Sequence, residues 1–148
     1  MTDLDRLAID ACYEQALKSY HEGGCPIGSA LTRGDAIVAV GHNQRVQHGN
    51  PILHGEMDCL QNAGRQASYR DCTLYTSLSP CMMCAGTIVQ FKIPRVVICE
   101  NRNFGGNEDF LRSHGVTVEI VDDVRCIDLM RRFIEEKPEL WNEDIAEK

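Results

Sequence analysis

Strand-like and helix-like segments alternate along this chain, and that alternation constrains its fold more than any other feature. Thr2 reads as an N-cap, with Asp3 and Asp5 near the positive end of a first helix. Leu4, Leu7, Ala8, Ala11, Cys12 and Ala16 recur at helical spacing to about Tyr20, and Gly23-Gly24-Cys25-Pro26 ends the pattern. Two short strands are expected over residues 27–32 and 36–44, joined as a hairpin by Arg33-Gly34-Asp35. Residues 47–51 read as a polar loop. A helix is expected from about 54 to 66, with Met57, Leu60 and Ala63 on one face. Then come a strand at 73–76, a helix from about 81 to 91, an apolar strand at 95–99, a short helix around 110–112 and a strand at 116–121. Leu129, Met130, Phe133 and Ile134 mark a helix up to Pro138, and a last short helix is expected over 139–146. The continuous apolar run at 95–99 suits a sheet covered on both faces. An opening hairpin followed by alternating helices and strands implies an α/β fold with a mixed sheet and helices on each side.

The length of 148 residues is about the modal size of one domain, so a single domain over 1–148 is expected. A chain this long buries roughly 68–70% of its unfolded surface and needs no disulfide staples. It carries 15 Lys and Arg against 22 Asp and Glu, a net charge of −7. That field repels a phosphate backbone and argues against a nucleic-acid partner, although a local basic patch stays open. The beginning, Met1-Thr2-Asp3-Leu4-Asp5-Arg6, is acidic and has no apolar core of signal-peptide type. No apolar stretch approaches the length of a membrane helix, so no membrane partner is expected. The eight cysteines are scattered, which points to reduced thiols in a cytoplasmic protein rather than a disulfide framework.

Only Cys81 and Cys84 have metal-ligand spacing. Three apart at an expected helix start, their sulfurs fall on one side of a first turn. A helix N-terminus also favours the thiolate that binds metal. His54 opens the other helix and offers a nitrogen. Three protein ligands suit a catalytic zinc, because structural zinc sites usually close with four. Glu56, two residues after His54, is then placed to take a proton from water beside the metal. Taken singly, a C-x-x-C also fits chance packing in a cysteine-rich chain, and a His-x-Glu also fits a surface pair.

Together, His54-Gly55-Glu56 and Pro80-Cys81-Met82-Met83-Cys84 form the signature of zinc nucleobase deaminases. The chain resembles the small, fungal-type zinc cytosine deaminases, which act on the free base. The likeness covers nearly the whole length. It includes Gly23-Gly24 with Pro26-Ile27-Gly28, Gly41-His42-Asn43, Leu53-His54-Gly55-Glu56, Leu78-Ser79-Pro80-Cys81 with Cys84, Glu100-Asn101 with Asn103-Phe104, and Trp141 with Glu143-Asp144-Ile145. His-Gly-Glu, where relatives often have alanine in the middle, and the final Trp…Glu-Asp-Ile are the more specific parts.

The resemblance implies a three-layer α/β/α sandwich with a five-stranded mixed sheet, one zinc per subunit and a homodimer. It implies pyrimidine salvage by hydrolysis of cytosine to uracil and ammonia. Zinc hydroxide attacks C4, with Glu56 as the catalytic proton shuttle and His54, Cys81 and Cys84 as metal ligands. For the base it implies Asn43 as a hydrogen-bonding side chain, the Gly55 N–H on the ring carbonyl, Asp144 on ring N1–H and the Ser79 carbonyl on the exocyclic amine. Phe104 and Trp141 resemble aromatic walls, and Leu78 and Ile27 add apolar contacts. Read without the resemblance, Asn43 also suits a turn cap, Trp141 ordinary core and Asp144 a solvated tail. His42, His48 and His114 suggest no partner.

Four departures bear on specificity. Cys25 stands where the family pattern has valine, Ser29 where it has glycine and Asn142 where it has an aromatic, and Gly105-Gly106-Asn107 is altered after Phe104. All are expected near the pocket mouth or wall. The alternatives are deamination of another base or nucleoside (isocytosine, guanine or tRNA adenosine) and a non-catalytic zinc-stabilised module.

Overall fold

The computed structural model describes residues 1–147. Helix α1 (Asp3–His21) starts where the capping pattern says it should. Thr2 Oγ1 accepts from the Asp5 N–H, and the Asp5 carboxylate accepts from the Thr2 N–H, closing a capping box. The hairpin follows as β1 (Gly28–Arg33) and β2 (Ala36–His42), paired antiparallel. Strand β2 ends two residues before the expected boundary. There Asn43 N–H bonds to the Ile27 carbonyl and Gln44 N–H to the Leu53 carbonyl, which turns the chain out of the sheet.

The expected polar loop instead begins with a single helical turn, α2 (Arg45–His48). Gly49 closes it in the left-handed region at φ 59°. Helix α3 (Gly55–Ala63) stops short of Gln66 because Gly64 turns the backbone at φ 75°. The remainder is β3 (Cys72–Thr76), α4 (Met82–Gln90), β4 (Arg95–Ile98), α5 (Glu108–Ser113), β5 (Thr117–Ile120), α6 (Val124–Glu136) and α7 (Pro138–Asp144).

The five strands form one mixed sheet in the order β2-β1-β3-β4-β5. β1 is antiparallel to β2 and β3, while β3, β4 and β5 run parallel. The apolar expectation at β4 is met: Val96, Val97 and Ile98 are fully buried. One face packs Leu31, Leu74, Val96 and Ile98 against Cys59 and Leu60 of α3, Ala85 and Ile88 of α4, and Leu111 of α5. The other packs Ala30, Tyr75 and Val97 against Ala8, Ile9 and Cys12 of α1 and Cys126 of α6. The result is the three-layer α/β/α sandwich. Gly28 permits its tightest contact, because a Cβ there would lie 2.1 Å from the Cys12 carbonyl oxygen of α1.

A third apolar cluster lies at one end of the sheet. It joins Cys25, Ile27 and Leu78 to Met130 and Phe133 of α6 and Trp141 of α7. This cluster backs the cavity described next. All eight cysteines are free thiols, and every one except Cys81 is buried.

Candidate active site

Two helix starts meet at this end of the sheet. His54 is the N-cap of α3 and Cys81 the N-cap of α4, with Cys84 one turn further in. Their ligand atoms converge: His54 Nδ1 lies 3.5 Å from Cys81 Sγ and 3.9 Å from Cys84 Sγ. Among the described residues this is the one group of three or more His, Cys, Asp or Glu whose donor atoms all fall within 4.8 Å of each other. A tetrahedral zinc with bonds of about 2.3 Å to sulfur and about 2.0–2.1 Å to nitrogen separates its N and S ligands by about 3.6 Å. The spacing therefore fits zinc, and so does the soft thiolate and imidazole donor set.

The electrostatics of the group favour a cation. The Cys84 thiol hydrogen-bonds Cys81 and, together with His54, holds the Cys81 thiol well below the usual range despite burial. Burial opposes charge on His54, yet its contact with Cys81 raises its pKa. Glu56, the second residue of α3, is 4% exposed. Burial, with the Cys81 sulfur adding to it, pushes its carboxyl up to about 7. A carboxyl poised there is suited to carry protons in both directions.

A cavity of about 260 Å³ opens over the metal group. His54, Glu56 and Cys81 line it together with Ile27, Leu78, Ser79, Phe104, Trp141, Asp144 and Ile145. Phe104 and Trp141 meet edge to face, with ring centroids 6.0 Å apart. Asn43 and Gly55 adjoin the cavity through their neighbours Asp144, His54 and Glu56. Asn43 is fully buried and its Nδ2 donates to Asp144 Oδ1 at 3.1 Å. Gly55 is the first residue of α3, so its N–H has no acceptor within the helix. A Cβ on Gly55 would lie 2.9 Å from the Ile27 carbonyl oxygen, so glycine lets the Ile27 segment close on the start of α3.

Asp144 is held in the wall rather than solvated as a tail. Burial raises its carboxyl, while His54, Arg45 and the Asn43 amide pull it back. Sequence reasoning missed four residues around the cavity. Arg45 contacts Glu143 and Asp144. Glu108 accepts from the Ser79 hydroxyl. Ile145 lines the cavity directly. The fully buried Glu100 accepts from the N–H groups of Arg102 and Asn103 and from the Asn103 amide, and so shapes the loop that carries Phe104. Glu100 and Ile145 stand within the stretches that carry the family likeness but had no role assigned, whereas Arg45 and Glu108 left no signal.

The four departures lie elsewhere than expected. Cys25 packs in the supporting cluster, one layer behind the wall. Ser29 is inside the sheet, donating to the Tyr75 carbonyl at 2.5 Å. Asn142 lines a surface groove on the outer side of α7. Asn107 ties its loop to the Pro80 carbonyl, 3.0 Å away. None of them is among the residues lining the cavity. His42, which suggested no partner, lies between Gln15 and Glu22 with its ring nitrogens 3.0 and 2.9 Å from their oxygens.

Residues 2–100 match the family described as "Cytidine and deoxycytidylate deaminase zinc-binding region". A cytosine deaminase of Candida albicans is 51% identical over 99% of this chain and 100% of its own length. A tRNA-specific adenosine deaminase of Streptococcus pyogenes serotype M18 is 31% identical over 81% of this chain and 83% of its own. A solved structure from work on tRNA:A34 deaminases superimposes with a TM-score of 0.76 at 20% identity, covering 84% of this chain and 99% of that one. At that identity the superposition speaks for the fold alone.

Proposed function

Because the chain belongs to the cytidine and deoxycytidylate deaminase family, we propose that it hydrolyses free cytosine to uracil and ammonia at a zinc held by His54, Cys81 and Cys84. The observation that carries the reading is that buried Glu56 lines one cavity with His54 and Cys81, whose donor atoms converge with that of Cys84.

When bound, zinc supplies Lewis acidity and makes water acidic enough to ionise near neutral pH. The chain does the rest. Glu56 takes one proton of the water that attacks C4 and delivers it to ring N3, then takes the remaining proton from the new C4 hydroxyl and passes it to the amine, which departs as ammonia while the C4 carbonyl forms. The Gly55 N–H donates to the ring carbonyl. Asp144 accepts from ring N1–H, and the Ser79 carbonyl accepts from the exocyclic amine. One Asn43 amide hydrogen goes to Asp144, leaving its second for the base. Phe104 and Trp141 flank the ring, while Leu78 and Ile27 exclude water from its edge. Matched groups select one base, because each unpaired buried donor or acceptor costs about 1–3 kcal/mol.

The whole catalyst fits one domain over 1–148. We also propose a homodimer. Ile52, Met82 and Phe91 are exposed apolar side chains, and a groove runs between Ile52, Met57, Tyr69 and Phe91. Light scattering after gel filtration should give twice the chain mass. Among the described residues no helix is long and apolar enough to cross a membrane. Eight free thiols support a reducing compartment such as the cytoplasm.

The test is ammonia release from a panel of cytosine, isocytosine, guanine and an adenosine-containing tRNA stem-loop. Turnover of cytosine is expected. Turnover of only another substrate overturns the base assignment, and turnover of none overturns the enzyme reading in favour of a zinc-stabilised module.

A further inference from the structure

Arg45 has no part in the roles above, yet it is 9% exposed and aimed at the cavity wall from behind. Its Nη2 lies 3.1 Å from Glu143 Oε1 and its Nη1 3.5 Å from Asp144 Oδ1. The same Asp144 Oδ1 accepts from Asn43 Nδ2 at 3.1 Å, and Asn43 Oδ1 accepts from the Arg45 backbone N–H, also at 3.1 Å. Residues 43 and 45 thus grip one carboxylate oxygen from two directions. The other, Oδ2, takes no donor from the described residues, and Asp144 lines the cavity. Occupying one oxygen of a carboxylate fixes its plane and so aims the second.

Asp144 needs such an outside frame. It is the last residue of α7, which is only seven residues long. Isolated helices shorter than about 12–15 residues are marginal, so α7 depends on tertiary contacts: Trp141 anchors its middle, and Arg45 and Asn43 meet its end. A guanidinium fork can reach Glu143 and Asp144 together, whereas an ammonium is a single point charge.

We propose that Arg45 is a positioning residue for base binding: through Asp144 it ties the end of α7 to the turn after β2, so that the free carboxylate oxygen faces the ring N1–H. The identity of that N–H rests on the cytosine reading; the tie does not.

The experiment is a double-mutant cycle of Arg45→Ala and Asp144→Ala, with Arg45→Lys as the conservative variant. Zinc content and steady-state kinetics on cytosine are measured for each. Losing a charge-assisted contact made equally in ground and transition states should raise KM about 10- to 100-fold and leave kcat nearly unchanged. Arg45→Ala in the Asp144→Ala background should add less than about threefold, because residues acting as one unit are not additive. Arg45→Lys should recover part of the loss. A second reading needs no substrate. Trp141 is the only tryptophan of the chain and lies on α7. Its fluorescence in zinc-loaded Arg45→Ala should be more readily quenched by acrylamide than in wild type.

Additive losses in the cycle, or a fall in kcat with lost zinc, would overturn the proposal. So would unchanged Trp141 quenching. If wild type fails to deaminate cytosine, the functional reading falls, and the quenching result alone decides whether Arg45 holds α7.

Discussion

A charged contact joins α1 to the sheet, and its removal makes a measurable demand. The Asp5 side chain is 4% exposed. Its oxygens meet Arg95 Nη1 at 2.9 Å and Nη2 at 3.2 Å, the Tyr75 hydroxyl at 2.5 Å and the Thr2 N–H at 3.0 Å. The Arg95 guanidinium, against the effect of burial and with help from Tyr75 and Thr2, holds the carboxyl well below the usual carboxylate range. Removing one partner of a buried pair costs about 3–5 kcal/mol. Arg95 keeps Glu119 at 2.9 Å and is partly solvated, so the lower end applies. Asp5→Ala should therefore cost about 3 kcal/mol, and Asp5→Asn, which keeps the shape, about 2 kcal/mol. At about 2–4 °C per kcal/mol for a chain of this size, Tm should fall by about 6–12 °C in Asp5→Ala.

The pH dependence has a definite sign. A depressed folded pKa stabilises fully above the unfolded Asp value of about 3.9 and is lost as pH falls towards the folded value. The stability gap between wild type and Asp5→Asn should thus be constant above about pH 5 and narrow below about pH 4. Any acid release of zinc is common to both proteins and cancels in the difference. Urea melts followed by circular dichroism from pH 7 to pH 3 measure the gap. A gap under about 1 kcal/mol at pH 7, or one that does not narrow, refutes the reasoning.

Glu56→Gln should retain one zinc per chain by elemental analysis and lose about 10²–10⁴-fold in activity. Wild-type turnover would remove Glu56 from the proton path. Stripping zinc with a chelator should abolish turnover and lower Tm, with both restored by added zinc, since a ligand bound only to the native state stabilises it. Activity that survives full removal of metal contradicts the assignment. Gly55→Ala puts a Cβ 2.9 Å from the Ile27 carbonyl oxygen, so it should fold but deaminate more slowly. Unchanged kcat/KM would mean that the Ile27 segment shifts freely.

What the sequence discloses here depends on how local the cause is. Thr2 with Asp5, the alternation before and after Gly34, and the apolar run of β4 act through neighbours, so their patterns are visible in a short window. Cys81 and Cys84 were legible because their spacing places both sulfurs on one turn of a helix, whereas His54, on another helix, was legible only through the His-x-Glu and Pro-Cys-x-x-Cys signature. Arg45 and Glu108 left no such trace. Their partners, Glu143, Asp144 and Ser79, lie far away in the chain, and a single charge in a loop has no period. The turn α2 is too short to display helical spacing, and its Gly49 closure resembles any polar loop. Cys25 and Ser29 were misplaced for another reason. Nearness in sequence to Ile27 says nothing about direction, and the chain turns one into the supporting cluster and the other into the sheet.

The cavity also has a longitudinal logic. His54, Glu56, Cys81 and Cys84 all precede residue 85, and the family match ends at residue 100. Phe104, Trp141, Asp144 and Ile145, which also line the cavity, all come later. The lining of the cavity is thus shared between two stretches: Ile27, Leu78 and Ser79 lie in the stretch that carries the candidate metal ligands, and the other four lie after it. Inheritance can revise the later stretch while the metal ligands stay untouched. A mutational library confined to residues 101–145 would vary Phe104, Trp141, Asp144 and Ile145 while leaving His54, Glu56, Cys81 and Cys84 unchanged.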